Sequence, residues 1–565
     1  MQLTRREILE AALVGAAVTA GGFWVKEGQA STSTKYADAF AELDKFVEQY
    51  MRDMNSPGMT LVLADREGVQ RVATYRFSDL DRQRKLNADE LFEIGSITKS
   101  FLALVLLQLR DEGKLDLHKP VVEYVPWFRI DSKFAPITTH HLLTHSSGLP
   151  GAPEVFPSDP TQRHLAAYAP GEQFHYNNMA FSLLGYLAWT LDGRELPDLF
   201  RERIFEPLGM AQSEPAIDFQ MRERMPRSYQ PFLGDRPYAR HGQLCEAPSI
   251  VSTSGAGCIA ASARDMGAYI QMIANQGRGP QRNLVSPESF ALFSQRHIKA
   301  EEFGPTASYG YGIAVDELDG NLLVRHTGGM VSFMSALQVD LVAGIGGFAS
   351  VNAQQGYRPN PVVQYGLQLM RARVEKKKSP APPAPNSEFD VEKAADYVGV
   401  FAGEHGKLEF VSDGKKLFLV RRDQRIQLEA TGTPDQFRVG DAELARFPLI
   451  FGRKSADGPV VEVSSGDAWY VANAYDGPRQ FQVPEAWRSY VGHYRNEDPW
   501  MGSVRVFILK GRLLVDGTPL ELDGDLFRLR DEPSNTEWIR FGEVINGKCM
   551  RLKYSGVDLW RVARA

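Results

Sequence analysis

A serine and a lysine stand three residues apart at the start of an almost entirely apolar run. In the stretch FEIGSITKSFLALVLLQLRDEGKL, residues 92–115, these are Ser96 and Lys99. A serine hydroxyl becomes a good nucleophile when a base removes its proton, and a lysine can be that base when burial lowers its pKa. Residues three apart share one helix face, which the apolar residues that follow would bury. The pair therefore predicts a nucleophile placed beside its own base.

Two further motifs follow in the chain. Tyr176 and Asn178 form a Tyr-x-Asn triplet in GEQFHYNNMAFSLLGYL, just before a predicted helix, and the segment RHTGGM places His326 and Gly329 on a predicted strand. Each triplet is a weak signal alone. Ser-x-x-Lys, then Tyr-x-Asn, then a basic or His-x-Gly strand is the order typical of active-site serine enzymes that react with penicillins.

This ordered set resembles the serine β-lactamase and DD-peptidase superfamily of penicillin-binding proteins, in particular its branch of D-alanyl-D-alanine carboxypeptidases, class C β-lactamases, D-aminopeptidases and related esterases. The phrases HHLLTHSSGLPG from residue 140, GKLDLHKPVVEYVPWF from 113 and STSGAGCIAASARDMGAYI from 252 support it. The resemblance covers about residues 38–372. It implies an α+β, β-lactamase/transpeptidase-like catalytic domain.

The resemblance also implies a role for each residue of the first two motifs. Ser96 would attack a carbonyl and become acylated, while Lys99 and Tyr176 share the proton transfer; which of the two is the general base stays open. Asn178 would hydrogen-bond Lys99 and the amide side chain of the substrate. This acyl-enzyme route needs no metal or organic cofactor.

The third motif would line the substrate pocket. His326, Thr327 and Gly328 are the expected substrate-binding residues, and the backbone N–H groups of Ser96 and Gly329 the expected oxyanion hole. Related enzymes usually carry a lysine where this chain has His326. A histidine offers a free carboxylate a weaker, pH-dependent interaction, so we expect poor β-lactamase activity.

The elements that must position these residues form one predicted domain, residues 31–375. Helical spacing of apolar residues from Lys35 to about Met54 precedes two strands in MTLVLADREGVQRVATYRF. Three more strands are predicted in NLLVRHTGGMVSFMSALQVDLVAGIGGFASVN. Strands at both ends with helices between them predict one antiparallel sheet, flanked by helices, that joins the two ends of the domain.

A Pro-rich linker, residues 376–390, separates this domain from two similar β units at 391–483 and 484–565. DYVGVF at 396 recurs as SYVGHY at 489, and SDGKKLFLV at 412 as LKGRLLVDG at 509. Closure into barrels would remove unpaired edge strands, so we predict two small all-β, barrel-like domains. One larger sandwich is the alternative.

The first thirty residues, MQLTRREILEAALVGAAVTAGGFWVKEGQA, resemble a twin-arginine export signal, with an ordinary amphipathic helix as the alternative. We expect a periplasmic or secreted protein with no stable membrane span after signal removal, unless the signal is retained as an anchor. A net charge of −6 without a basic stripe argues against nucleic acid as a partner. The histidines at 140, 141 and 145 do not have metal-ligand spacing, so no metal is expected.

Three cysteines, at 245, 258 and 549, leave the choice between free thiols, which we favour, and a single bridge from 245 to 258. The loop RNEDPWMGS from residue 495 could cap a substrate, although an exposed hairpin tip is the simpler interpretation.

The predicted function is an exported serine hydrolase acting on D-amino-acid-containing peptides, as a D-aminopeptidase or DD-carboxypeptidase, or on small esters. The alternative is a non-catalytic penicillin-binding receptor for cell-wall fragments, whose serine reacts once and then stalls. The sequence does not indicate an oligomeric state.

Overall fold

The computed structural model describes residues 34–151, 155–156, 163–232, 242–354, 358–384, 389–497, 502–530 and 535–562. Its α-helices are α1 Ala37–Asp53, α2 Thr98–Asp111, α3 Val121–Tyr124, α4 Thr139–Leu143, α5 Asn178–Asp192, α6 Leu196–Phe200, α7 Glu206–Leu208, α8 Ala263–Ala274, α9 Pro287–Phe293, α10 Asn360–Val374 and α11 Glu485–Tyr490. Short 3-10 turns lie at Thr34–Tyr36, Gly95–Ile97, Phe219–Arg224, Glu301–Phe303 and Ala394–Tyr397, and a π turn at Arg201–Phe205.

The strands of the catalytic domain are β1 Gly58–Asp65, β2 Gly68–Asp79, β3 Arg84–Lys85, β4 Phe92–Glu93, β5 Ile130–Asp131, β6 His164–Leu165, β7 Tyr229–Pro231, β8 Leu244–Glu246, β9 Ala260–Ala261, β10 Ile298–Lys299, β11 Ser308–Tyr309, β12 Ala314–Leu318, β13 Asn321–Gly329, β14 Met334–Asp340 and β15 Ile345–Val351. Nine of them form one antiparallel sheet in the order β10-β11-β12-β13-β14-β15-β1-β2-β3. The first strand thus pairs with the last one, β15, and β2 pairs with β1, as the sequence predicts for a sheet that joins both ends of the domain.

Successive side chains of β1 point to opposite faces of the sheet and enter two different cores. Leu61 and Leu63 pack with the apolar faces of α1 and α10, while Val62 and Ala64 pack with α2 and α8. All eight residues of β1 are buried. The sheet is therefore covered by helices on both faces, as predicted for an α+β domain with an antiparallel sheet flanked by helices.

The remaining strands close into two eight-stranded antiparallel barrels. The first barrel consists of β16 Gly399–Gly403, β17 Gly406–Asp413, β18 Lys416–Arg421, β19 Gln424–Ala430, β20 Gln436–Val439, β21 Leu449–Arg453, β22 Val460–Ser465 and β23 Ala468–Val471. The second consists of β24 Gly492–Arg495, β25 Ser503–Leu509, β26 Arg512–Val515, β27 Thr518–Asp523, β28 Leu526–Leu529, β29 Trp538–Ile545, β30 Lys548–Tyr554 and β31 Val557–Arg561. The predicted barrels are confirmed.

The sandwich alternative is wrong, because in each unit the last strand returns to pair with the first. Ala402 pairs with Val471 in the first barrel, and Tyr494 with Arg561 in the second. This pairing leaves neither strand at an open edge. Each barrel encloses its own apolar core, so the internal repeat in the sequence corresponds to two separate closed sheets.

The barrels contact each other through Lys510, whose Nζ lies 2.8 Å from Glu462 Oε1, and through the rings of Phe447 and Phe507.

All three cysteines are free thiols, so the alternative of a bridge is wrong. Among the described residues, no helix is both long and apolar enough to cross a bilayer.

Candidate active site

Ser96 lies in the 3-10 turn that joins β4 to helix α2, and Lys99 lies within the first turn of that helix. Lys99 Nζ is 3.0 Å from Ser96 Oγ. The turn requires a glycine before the serine: Gly95 has φ +54°, and a β-carbon there would lie 2.8 Å from the backbone nitrogen of Gly329. The predicted serine–lysine pair is thus assembled by local geometry, in contact with the end of β13.

The Lys99 ammonium is completely buried, yet each of its donors has an acceptor. Nζ donates to Ser96 Oγ, to Asn178 Oδ1 at 2.8 Å and to the Ala256 carbonyl oxygen at 2.8 Å. Burial lowers the pKa of Lys99 well below its usual value, because removing the ammonium from water penalises its charged form. A neutral amine at this position can accept the proton of Ser96.

The Tyr-x-Asn motif forms the opposite wall. Helix α5 begins at Asn178, and the preceding Asn177 caps it by accepting a hydrogen bond from Ala180 N at 2.8 Å. The Tyr176 ring lies under the ammonium, with its centroid 4.9 Å from Lys99 Nζ. Burial raises the pKa of Tyr176 above its usual value, while a hydrogen bond with Ser96 acts in the opposite direction.

A neighbouring residue that the sequence did not mark, Asn177, holds this wall in place. Its Nδ2 donates to the carbonyl oxygens of Leu149 and Pro150 at 2.7 and 2.9 Å, and its backbone N–H donates to His145 Nδ1 at 3.0 Å. His145 is fully buried, and its ring centroid lies 4.4 Å from that of Tyr176. The only available signal was the position of Asn177 as a helix N-cap.

Strand β13 brings the third motif against the nucleophile turn. A β-carbon on Gly328 would lie 1.9 Å from the Ile94 carbonyl oxygen, so no larger residue fits there. The strand ends at Gly329, whose backbone touches Gly95. The N–H groups predicted as the oxyanion hole, those of Ser96 and Gly329, therefore belong to adjoining backbone segments.

His326 is buried within the strand, with both ring nitrogens hydrogen-bonded inside the protein. Nδ1 lies 2.7 Å from the Thr327 carbonyl oxygen, and Nε2 lies 2.8 Å from the Tyr309 hydroxyl. Because a carbonyl oxygen only accepts, Nδ1 carries the hydrogen and Nε2 accepts from Tyr309. Burial lowers the pKa of His326 to about 3, so the ring is neutral at physiological pH.

A cation absent from the sequence predictions stands beside this strand. Arg358 is exposed, and its Nη1 donates to Thr327 Oγ1 at 2.5 Å. A β-carbon on Gly329 would lie 3.1 Å from Arg358 Nη2. No motif marks Arg358, because its place in the site depends on a tertiary contact with Thr327. Arg358 therefore places a permanent positive charge beside Thr327, whereas His326 is neutral.

The histidines at 140, 141 and 145 lie in two places. His145 lies behind Tyr176, whereas the ring of His140 lies near those of His141 and His297, and His140 bonds the Tyr311 hydroxyl at 2.8 Å. Among the described residues, no group of three or more histidine, cysteine or carboxylate side chains is arranged to hold a metal ion.

The site thus places Ser96 beside a buried lysine, in an α+β domain whose sheet is flanked by helices. The family model described as Beta-lactamase matches residues 43–367, more than half of the chain. The chain belongs to this family, and the family resemblance seen in the sequence is confirmed. Residues 43–367 therefore form a β-lactamase-family domain.

Individual relatives match a smaller part of the chain. Esterase EstB of Burkholderia gladioli is 30% identical over 200 residues, which cover 31% of this chain and 51% of that protein. Protein flp of Staphylococcus aureus (strain N315) is 26% identical over 197 residues, 31% of this chain and 38% of that protein. The chain therefore spans about half or less of the length of these curated relatives.

Among solved structures, the octameric penicillin-binding protein homologue from Pyrococcus abyssi superposes with a TM-score of 0.54 and 23% sequence identity. The superposition covers 77% of this chain and 100% of that one. This similarity supports the fold assignment.

Proposed function

We propose that the protein hydrolyses carboxylic esters and activated amides through an acyl-enzyme on Ser96. The observation that carries this proposal is the 3.0 Å contact between Ser96 Oγ and the buried Lys99 Nζ. Because burial lowers the pKa of Lys99, its amine can lose its proton and act as the base. The 30% identity to a protein named as an esterase supports ester substrates. The non-catalytic receptor is the competing proposal.

In the proposed reaction, Ser96 Oγ forms a bond to the substrate carbonyl carbon while its proton passes to Lys99 or to Tyr176. The backbone N–H groups of Ser96 and Gly329 donate to the oxyanion that develops. Collapse of this intermediate breaks the bond to the alcohol or amine, which leaves with the transferred proton. A water molecule then attacks the acyl-serine by the same steps, releasing the acid and restoring the hydroxyl.

A second substrate class, peptides that end in a D-residue with a free carboxylate, is favoured by one observation. Arg358 donates to Thr327 Oγ1 at the end of β13, so a guanidinium lies where a substrate carboxylate would find a partner. The roles proposed for Asn178 and Thr327, binding the substrate on either side of Ser96, apply to both classes.

Export is part of the proposal. The Thr-Arg-Arg-x-Ile-Leu context around Arg5 and Arg6, followed by an apolar stretch and small residues, supports a twin-arginine route to the periplasm or the medium. Peptides of the cell wall would be accessible there.

The test compares wild type with Ser96→Ala on p-nitrophenyl acetate and D-alanine p-nitroanilide. We expect wild type to release nitrophenol from the ester and nitroaniline from the anilide catalytically, with one acetyl group from the ester found on Ser96 by mass spectrometry, and the variant to do none of these. Ser182→Ala is the matched control, because this partly buried serine lies on α5 one turn after Asn178. Stoichiometric acylation without turnover would instead support the receptor.

A further inference from the structure

The second barrel reaches the catalytic domain through two buried residues just before β29. Glu537 Oε1 accepts a hydrogen bond from the Gly151 backbone N–H at 2.6 Å and lies 3.4 Å from His175 Nε2. The adjacent Thr536, completely buried, donates from Oγ1 to the Leu149 carbonyl oxygen at 3.3 Å. These contacts join chain segments more than 360 residues apart in sequence.

The barrel holds the Glu537 carboxylate rigidly. Its Oε2 accepts from the Ser555 hydroxyl, in the turn between β30 and β31, and its backbone N–H donates to Asn535 Oδ1 at 2.8 Å. Ser555 Oγ also accepts from Trp538 N at 3.1 Å. The Glu537 side chain is only 9% exposed. Its position is therefore set by the ends of three barrel strands.

In the catalytic domain, the same contacts reach the wall of the active site that the Tyr-x-Asn motif forms. The Leu149 carbonyl oxygen accepts from both Thr536 and Asn177 Nδ2. Gly151 is held between Glu537 and the motif, because a β-carbon there would lie 2.7 Å from the Tyr176 carbonyl oxygen and 3.3 Å from Glu537 Oε1. The segment 149–151 thus lies between the barrel and the residues on either side of Tyr176.

We propose that Glu537 is a positioning residue for the reaction at Ser96, acting through segment 149–151 on Tyr176 and Asn178. This inference rests on the proposed hydrolase function. The second barrel is then a working part of the catalytic unit, since it fixes the wall that faces the Ser96–Lys99 pair.

The chemistry explains why a carboxylate is used. An ionised carboxylate only accepts hydrogen bonds, and here it meets an N–H group of Gly151, a hydroxyl of Ser555 and a ring nitrogen of His175. Truncating it leaves the part-buried Gly151 N–H without its acceptor, which favours a shift of the segment towards water. Displacing a reacting group by about 1 Å can cost about 100-fold in rate.

The test uses the full chain with Glu537→Ala and Glu537→Gln. A p-nitrophenyl phosphonate that reacts with the serine hydroxyl counts competent sites by the nitrophenol it releases. We expect Glu537→Ala to lower kcat per competent site on p-nitrophenyl acetate by about 10- to 100-fold, with a smaller change in KM. Glu537→Gln keeps an oxygen acceptor for Gly151 and should restore kcat to within about threefold of wild type.

Glu521→Ala is the matched control, because this exposed carboxylate of the same barrel pairs only with Arg530 among the contacts of the described residues. A purely structural role would reduce the number of titrated sites and leave kcat per site unchanged, which overturns the inference. If Glu537→Ala does not fold, Thr536→Val replaces it, with an expected loss of about threefold in kcat per site. Wild type that neither titrates nor turns over would overturn the proposed function instead.

Discussion

The two walls of the active site are built in different ways. The Ser96 wall is local: a strand, a 3-10 turn and a helix place the serine and Lys99 within four consecutive residues. The opposite wall is assembled from distant segments, since Asn177 is tied to Leu149 and that segment is tied to Thr536 of the second barrel. The nucleophile is thus fixed by secondary structure, whereas its surroundings depend on tertiary contacts.

Two buried basic residues sharpen the contrast. Burial lowers the pKa of both Lys99 and His326. Lys99 directs a donor at Ser96 Oγ, while both nitrogens of His326 are used by Thr327 and Tyr309. Burial alone therefore does not make a basic residue reactive. Its reactivity also depends on which atom its polar group faces.

The largest expected effect is at the local wall. Lys99→Met keeps the side-chain volume close to that of lysine but removes the base, so we expect kcat per competent site to fall by about 100- to 10,000-fold on p-nitrophenyl acetate. The control is Lys114→Met, which removes a partly exposed lysine after the end of the same helix. Activity of Lys99→Met within threefold of wild type would exclude Lys99 as the base.

The same wall predicts a pH profile. If Lys99 is the base, its neutral amine is the active form, so kcat/KM rises with pH through the pKa of Lys99. Because burial lowers that pKa, the rise should be complete well below pH 10.5, the ordinary pKa of lysine. A rise centred near pH 10.5 in the wild-type profile would contradict the lowered pKa.

A smaller and more selective effect is expected beside strand β13, where Arg358 contacts Thr327. Arg358→Gln removes the guanidinium beside Thr327, so kcat/KM for a peptide with a free C-terminal carboxylate should fall by about 10-fold. The kcat/KM for a neutral ester should change by less than about threefold, because this substrate has no charge for Arg358 to bind. Arg373→Gln, on the exposed end of α10, is the control. Equal losses on both substrates would mean that Arg358 supports the fold of the site rather than an anion.

These differences explain which parts of the fold and of the site could be predicted from the sequence. The spacing of Ser96 and Lys99 and the two repeated β units are patterns within short windows, so the catalytic pair and both barrels could be predicted. Glu537 lies 386 residues from Gly151, and no short pattern links them. Arg358 likewise carries no motif. The suggested capping loop at Trp500 and Met501 lies outside the described residues, while the barrel contact that is observed comes from another strand end.

The smallest expected effect concerns acid stability. The pKa of His326 is about 3 in the fold, below its ordinary value of 6.5, chiefly because of burial. The unfolded chain therefore binds about one more proton at this residue between pH 6.5 and 3, so its contribution to stability is present above pH 6.5 and is lost on acidification at about 1.4 kcal/mol per pH unit.

His326→Gln should remove this dependence, because an amide can accept from Tyr309 and donate to the Thr327 carbonyl oxygen without titrating. Denaturant unfolding between pH 6.5 and 4 should show the variant losing less stability than wild type, with the number of protons taken up on unfolding lower by about one. The exposed His405 of the first barrel, changed to glutamine, is the control. Identical slopes for wild type and His326→Gln would mean that His326 takes up a proton as readily in the fold as in the unfolded chain. Strand β13 would then be open to water at a position where the structure shows it buried.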